Sequence, residues 1–588
     1  MNKILLPIIA IVLLASCNTA KTDDKNTKPT GVTDDTLNTN FKQYSDKFIE
    51  ALWLQEPEWA TNVGYHEHDA ILTIPDSNAH NNALLFIQTH LDSIKKYDLT
   101  KLTPSHQIDL QMMQNYLQAK HWSLEALKEY SWNPSSYNIT GLIAFMLTEQ
   151  YEPLDKRLQS CHQRMLKIPA YYAAAKTQIK NPVNELRELA IDQNLGGLSI
   201  FEKDYIDSVN KSALPAEEKT QMVAAAHKAA TAVKDYVSFL KSLPAGAGRS
   251  FRLGKDLYDK KFEFDIQSSY TAQQNYDSAM ARKTFLHSEM AKISRSLWSK
   301  YFGTQAMPTD SLILIGKLID TISQKHTTPA EFQSTIEKQI PELEKFINDK
   351  KLLYLDPSKP LVVRKEPAYM AGVAGASISA PGPYDKNGNT YYNVGSLEGW
   401  PAAQAESYLR EYNHYILQIL NIHEAIPGHY TQLVYANRSP SLIKSILGNG
   451  AMIEGWAVYT EQMMLESGYG NNEPEMWLMW YKWNLRTVCN TILDYSVHVN
   501  NMSKNDAMQL LTKQAFQQQA EAEGKWKRVS VTSVQLTSYY SGYKAIYDLR
   551  EKIKAKEGKK YDLRIFNEKF LSYGSAPVKF ISQLMLNQ

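Results

Sequence analysis

Cysteine is scarce: the chain has three in 588 residues. A disulfide-dense scaffold is therefore excluded, and Cys161 and Cys489 lie too far apart in sequence for a bridge to be argued without geometry. Both are expected as buried thiols. An excess of charge of either sign is missing too, with 64 Lys and Arg against 62 Asp and Glu, so nothing suggests a nucleic-acid partner. No Gly/Ser-rich or Pro-rich linker divides the chain beyond its first 38 residues, and no repeat of fixed period is evident. A string of domains and a solenoid are both disfavoured.

A long apolar run occurs once. Residues 1–16, MNKILLPIIAIVLLAS, place one lysine before a stretch too short and too poorly flanked for a stable membrane span, the pattern of a signal peptide. Its end, Leu14-Ala15-Ser16-Cys17, resembles the bacterial lipobox and implies cleavage before Cys17 and lipidation of that residue. The other reading is a secretory signal that merely contains a cysteine. Residues 17–38, polar and almost devoid of apolar side chains, read as a disordered tether. Residues 39–588 then form one body, expected on the bacterial cell envelope and held by lipid at the periplasmic or outer-membrane face. Loss of the signal removes only Lys3 among the charged residues, lowering the formal net charge from +2 to about +1.

What the chain has in quantity is helical periodicity. From Phe41 onward, windows such as FKQYSDKFIEALWLQEP and LDKRLQSCHQRMLKIPAYYAAAKTQI place apolar residues three and four apart, and 43% apolar content over this length supports a large core. The fold class is mainly α, expected as two lobes around a deep cleft. Two segments interrupt it. Residues 245–270 combine glycines with the short alternation KFEFDI and read as a loop and an edge strand. Further on, LVVRKE and NTYYNV read as strands, with Ala371 to Gly382 between them as turn or loop. The triplet His66-Glu67-His68 has no helical spacing, which argues against a second metal there.

The chemistry concentrates in YILQILNIHEAIPGHYTQLVY. An apolar helical run delivers His423-Glu424, and His429 follows six positions after His423. In the H-E-x-x-H motif two histidines four apart share a helix face and bind Zn²⁺, and the Glu beside the first is the general base. A spacing of six puts the second imidazole about 120° away on an ideal helix, so His423 and His429 reach one metal only if the helix opens. Pro427, four residues after His423, removes the hydrogen bond to its carbonyl, and Gly428 tolerates the dihedrals that follow. The alternative is a core histidine, a solvated Glu424 and a Pro-Gly helix stop. Next comes GAMIEGWAVYTE, where Glu454 and Glu461, seven apart, share a helix face. A catalytic zinc takes three protein ligands and keeps an open position, and His₂Glu is a standard set, which makes Glu454 the third ligand. Glu461 either accepts a hydrogen from a ligand histidine or is a solvated acid.

These stretches, with RTVCNTILDYSVH and QLTSYYSGYKAIYDLRE, resemble a large bacterial family of unknown function whose hallmark is H-E-A-x-P-G-H. The likeness covers about residues 40–585 and is densest from Tyr384 onward. More remotely, that family resembles the mostly helical, gluzincin-type zinc peptidases. The resemblance implies a large helical zinc-peptidase-like fold with a small β element before the metal helix, one Zn²⁺ ion and a peptide substrate. Asp494 and His498 recur in the family, which implies that His498 reaches toward the metal cleft while Asp494 orients it; a buried pair without a chemical role is the other account. Tyr539 matches the family's Tyr three before the Gly and is the candidate oxyanion donor, with Tyr540 second. Arg550 binds a substrate carboxylate or pairs with a neighbouring acid. Tyr384, Tyr391, Tyr392 and Asn393 line a wall that holds an extended substrate, or pack for structure alone. The chain departs from the family at Tyr430 and Asn490, where a His and an Arg are common.

The reading is a zinc-dependent metallopeptidase of the cell envelope that hydrolyses short peptides. His423, His429 and Glu454 bind the metal, Glu424 takes a proton from the zinc-bound water and passes it to the leaving amine, and Tyr539 stabilises the oxyanion. A zinc hydrolase of another amide or of a lactone uses the same groups. A third reading, a non-catalytic nutrient-binding lipoprotein stacking its ligand on some of its 35 Tyr and 11 Trp, gives no reason for the HEAIPGH and EGW motifs. Oligomeric state is not legible in the sequence.

Overall fold

The computed structural model describes residues 34–244, 248–366, 376–385 and 388–587. The signal peptide, Cys17 and most of the expected tether lie outside them. The last residues of that tether are a correction: the first helix, Asp35–Gln55, begins inside it, with Asp34 accepting the Leu37 N–H at its start. The acid that suggested a solvated tail is a capping residue, which satisfies a helix donor that would otherwise need water. The same device recurs. Asp76 opens Ser77–Ile94, Asp310 opens Ser311–Ile322, and Thr271 with Gln274 forms a reciprocal capping box ahead of the 31-residue helix Ala272–Phe302.

The body is mainly α, as the periodicity predicts. Its axis is the helix Pro474–His498, buried along nearly its whole length and packed against Ala272–Phe302, His414–Glu424 and Ser538–Glu557. A helix enclosed on every face must satisfy its polar side chains internally, and that is how Lys482, Arg486, Asp494 and His498 enter buried networks. A second apolar cluster, built largely from Leu154–Gln178 and Ala216–Ser242, has its own core around Met165, Tyr172 and Tyr236. Cys161 belongs to this cluster and Cys489 to the main one, and both are buried free thiols.

The segment at 245–270 corrects its sequence reading. No strand forms among its described residues; Lys255–Ile266 is a helix whose Tyr258, Phe262 and Ile266, four apart, are all buried. The alternation of KFEFDI concealed this spacing. The expected strands are present as β1 (Leu361–Lys365) and β3 (Thr390–Val394), but a third, β2 (Ala376–Ser379), forms where loop was expected. The order is β1-β3-β2, with β3 parallel to β1 and antiparallel to β2. Small residues hid β2, because ASIS has little of the bulk that marks a strand in sequence. Among the described residues, no helix is long and apolar enough to cross a membrane.

Candidate metal centre

Asn413 caps the helix His414–Glu424, accepting from the Tyr415 and Ile416 N–H groups. That helix ends at Glu424 and a new one, His429–Ala436, starts at the second histidine, so the expected opening is a complete break. The Gly428 N–H reaches back to the Ile422 carbonyl at 2.9 Å, and a Cβ on Gly428 would lie 1.8 Å from the His423 carbonyl oxygen. Only glycine fits there. Trp456 of the EGW motif closes the break from the other side, its indole N–H donating to the Pro427 carbonyl at 2.9 Å. Two further glycines, Gly455 and Gly542, let the helices Gly450–Glu466 and Ser538–Glu557 touch backbone to backbone; a Cβ on Gly455 would meet the Gly542 carbonyl carbon at 2.3 Å.

These contacts bring His423, His429 and Glu454 together, with their ligand atoms within 4.8 Å of one another. Glu454 Oε2 is 3.7 Å from His423 Nε2 and 3.4 Å from His429 Nε2. Those spacings are too long for good hydrogen bonds, and Glu454 Oε2 is a buried oxygen with no hydrogen-bond partner. They suit ligands of one tetrahedral ion, whose donor atoms at about 2.0–2.1 Å from the metal stand roughly 3.4 Å apart. Side-chain exposures of 8% for His423, 13% for His429 and 20% for Glu454 leave the cluster accessible on the Glu454 side.

Glu461, fully buried, accepts from His423 Nδ1 at 2.7 Å and from the Trp483 indole N–H at 3.1 Å. It therefore fixes the His423 ring with Nε2 turned to the cluster. Burial opposes charge on His423, but Glu454 and Glu461 outweigh it and hold the imidazole up at about 10. The same histidine holds Glu454 well below the usual carboxylate range against the effect of burial. Such a constellation calls for positive charge at its centre. Glu424, next in sequence to His423, is raised above its ordinary value by burial.

Tyr539 faces this cluster, its ring stacked 6.5 Å from that of His423. Burial, reinforced by the Glu454 charge, pushes its hydroxyl up to about 12. Arg528 donates to the Tyr539 oxygen at 3.1 Å and to Gln535 at 2.7 Å, so the Tyr539 proton is free to be donated elsewhere. Tyr540 points away, bonded to Ser278. Arg528, Gln535 and Trp483 are contributors the sequence reading did not single out; the KWKR run holding Arg528 gave a signal only as cations three apart on one helix face.

Other residues proposed from sequence lie elsewhere. His498 bonds the Val529 and Thr532 carbonyls, and Asp494 accepts from the Val534 and Leu536 N–H groups at 3.0 Å. Together they hold the turn before Tyr539, in which buried Val534 sits at φ 67°, a conformation β-branched residues rarely adopt. Arg550 pairs with Glu466 at 2.7 Å and Glu551 at 2.9 Å and lies over the Tyr547 ring, so the neighbouring-acid account describes it. Tyr384 accepts from the Trp53 indole and packs on Tyr65. Tyr392 donates to Asn421 at 2.7 Å, seating β3 on the helix His414–Glu424, while Asn393 binds Ser379 and Arg364, and Tyr391 stacks under Arg364. Tyr430 donates to the Lys359 carbonyl and Asn490 is buried. His66 pairs with Asp69 at 3.1 Å and stacks on Tyr151, and among the described residues no second metal cluster forms.

Fold and site together define a mainly helical protein built around a two-histidine, one-glutamate cluster. The chain belongs to the family described as bacterial proteins of unknown function (DUF885), which it matches over residues 57–585. No curated protein matches it. Among solved structures, a protein described as a lipoprotein of unknown function from Shewanella oneidensis is 53% identical, with a TM-score of 0.84 over 93% of this chain and 99% of the other. One described as a lipoprotein from Colwellia psychrerythraea shares the fold at 17% identity, with a TM-score of 0.75 over 94% and 98% of the two chains.

Proposed function

We propose that this protein is a zinc-dependent metallohydrolase that cleaves peptide bonds of short peptides on the bacterial cell envelope. The observation that carries this reading is the convergence of His423 Nε2, His429 Nε2 and Glu454 Oε2 at ligand spacing, with Glu424 one residue from the first ligand and Glu461 behind it. The donor set is the His₂Glu of hydrolytic zinc sites. Bound there, a zinc ion supplies Lewis acidity, polarising a carbonyl and lowering the pKa of water. In this reading Glu424 takes the proton of the attacking water and hands it to the leaving amine. Its partly desolvated carboxylate is a stronger base than one in water. Tyr539, anchored through its oxygen by Arg528, donates its own proton to the oxyanion as charge develops. Glu461 keeps His423 oriented throughout.

Lipid anchoring through Cys17 rests on the lipobox and on the lipoproteins among its structural relatives. Hydrolysis of another amide or a lactone uses the same groups, and substrate profiling separates the two. The test is peptide hydrolysis by zinc-loaded soluble protein: turnover that disappears in Glu424→Gln supports the proposal, and equal rates in parent and variant contradict it.

A further inference from the structure

The helix Gln519–Val531 and the axial helix Pro474–His498 carry three cations, Lys525, Arg528 and Arg486, of which Arg486 and Lys525 meet at one carboxylate, Glu521. Arg486 takes Glu521 Oε1 in a two-pronged grip at 2.5 and 3.1 Å. Lys525, only 4% exposed, reaches that same oxygen at 3.7 Å, and among the described residues it makes no closer ion pair. Arg528 donates to Gln535 and Tyr539, and among the described residues no carboxylate pairs with it. The other acid of this region, Glu411, is taken by Lys482 at 2.9 Å. Arg486 and Lys525 thus lean on one carboxylate and Arg528 on none, and for buried Lys525 above all a charge without a close partner is costly.

Their position ties them to the metal cluster from two sides. Trp483 donates to Glu461 behind His423 while its ring supports the Arg486 guanidinium at 4.6 Å. On the other side Tyr539 lies between His423, 6.5 Å from ring to ring, and the Arg528 guanidinium, 5.9 Å from the same ring. Through Tyr539, Arg528 is within the reach of a peptide of about three or four extended residues lying across the cluster.

We propose that Arg528, Lys525 and Arg486 form a carboxylate-binding subsite that anchors the negatively charged end of a short peptide whose scissile bond lies at the metal cluster. The incoming carboxylate takes the donors that Glu521 leaves unfilled, on Lys525 and on the free edge of Arg528. Burial and the neighbouring Arg486 charge pull the Lys525 ammonium down to about 7, the signature of a cation short of partners. This subsite gives the proposed hydrolase its substrate class and rests on that reading.

The test is calorimetric binding of three tetrapeptides to soluble Glu424→Gln protein, with metal content measured on the same samples. The peptides share a neutral sequence and end in a free acid, in a carboxamide, or in glutamate carboxamide. The expected result is that the free acid binds about tenfold or more tighter than the neutral carboxamide. A glutamate carboxamide that binds as tightly as the free acid also supports the subsite and assigns it to side-chain carboxylates. Equal affinity for all three overturns it. Lys525→Met is expected to cut the preference at least fivefold while leaving the neutral peptide's affinity unchanged, and an undiminished preference in a folded variant overturns the assignment. Should that variant fail to fold, the comparison of acid with carboxamide still decides. Samples free of zinc overturn the proposed function instead, while the three affinities still report on the subsite.

Discussion

At Glu424 burial works against the charge that the proposed chemistry needs. Its carboxyl is held above the ordinary value of 4.5, so the base form appears only at higher pH. Hydrolysis is expected to rise with pH as Glu424 loses its proton, read from kcat/KM against pH. Replacing it with Gln should cost about 10²–10⁴-fold in kcat while zinc content stays at the parent level. Glu461 acts through His423. Glu461→Gln is expected to weaken zinc binding about 10–100-fold, measured by competition with a chromogenic chelator. Glu521 offers a pH test of stability. Burial raises its pKa, but Arg486 and Lys525 outweigh that and hold it at about 2. Its stabilising contribution is complete above the unfolded value near 4.5 and is lost as pH falls toward 2. The difference in Tm between the parent and Glu521→Gln should therefore shrink steadily from about pH 5 downward.

At the scale of elements, the helix crossing at Gly455 and Gly542 sets where Tyr539 stands relative to Glu454. A Cβ on Gly542 would lie 1.6 Å from the Ala451 carbonyl oxygen, so Gly542→Ala is expected to force the helices apart and destabilise the protein by about 1–3 kcal/mol, seen as a lowered denaturant midpoint. That His423, His429, Glu454 and Glu461 come together was legible in sequence because two short motifs carry them. What a helix face meets is not in the spacing. His498 and Asp494 share a face as expected, yet the face meets the Thr532–Leu536 turn and not the cluster of His423, His429 and Glu454. Arg528 was invisible for the same reason: its role is set by a helix that arrives beside Tyr539 only through tertiary packing. Strand β2 was missed because Ala and Ser carry little strand signal, and the helix at 255–266 because its aromatics also fit an alternation.

For the whole molecule, the aromatic side chains serve the core: Trp53, Trp456 and Trp480 are almost fully enclosed. The two thiols belong to separate apolar clusters, and burial pushes both up to about 12. Soluble protein of residues 18–588 should therefore resist a thiol reagent such as DTNB and release two equivalents only on unfolding. In the proposed function, the break between His423 and His429 serves to close a metal site with Glu454. Elemental mass spectrometry on purified residues 18–588, beside His423→Ala and Glu454→Ala, tests it most directly. Near-stoichiometric zinc in the parent and its loss in both folded variants are expected; a parent that takes up no zinc after reconstitution, or variants that keep it, would rule the site out.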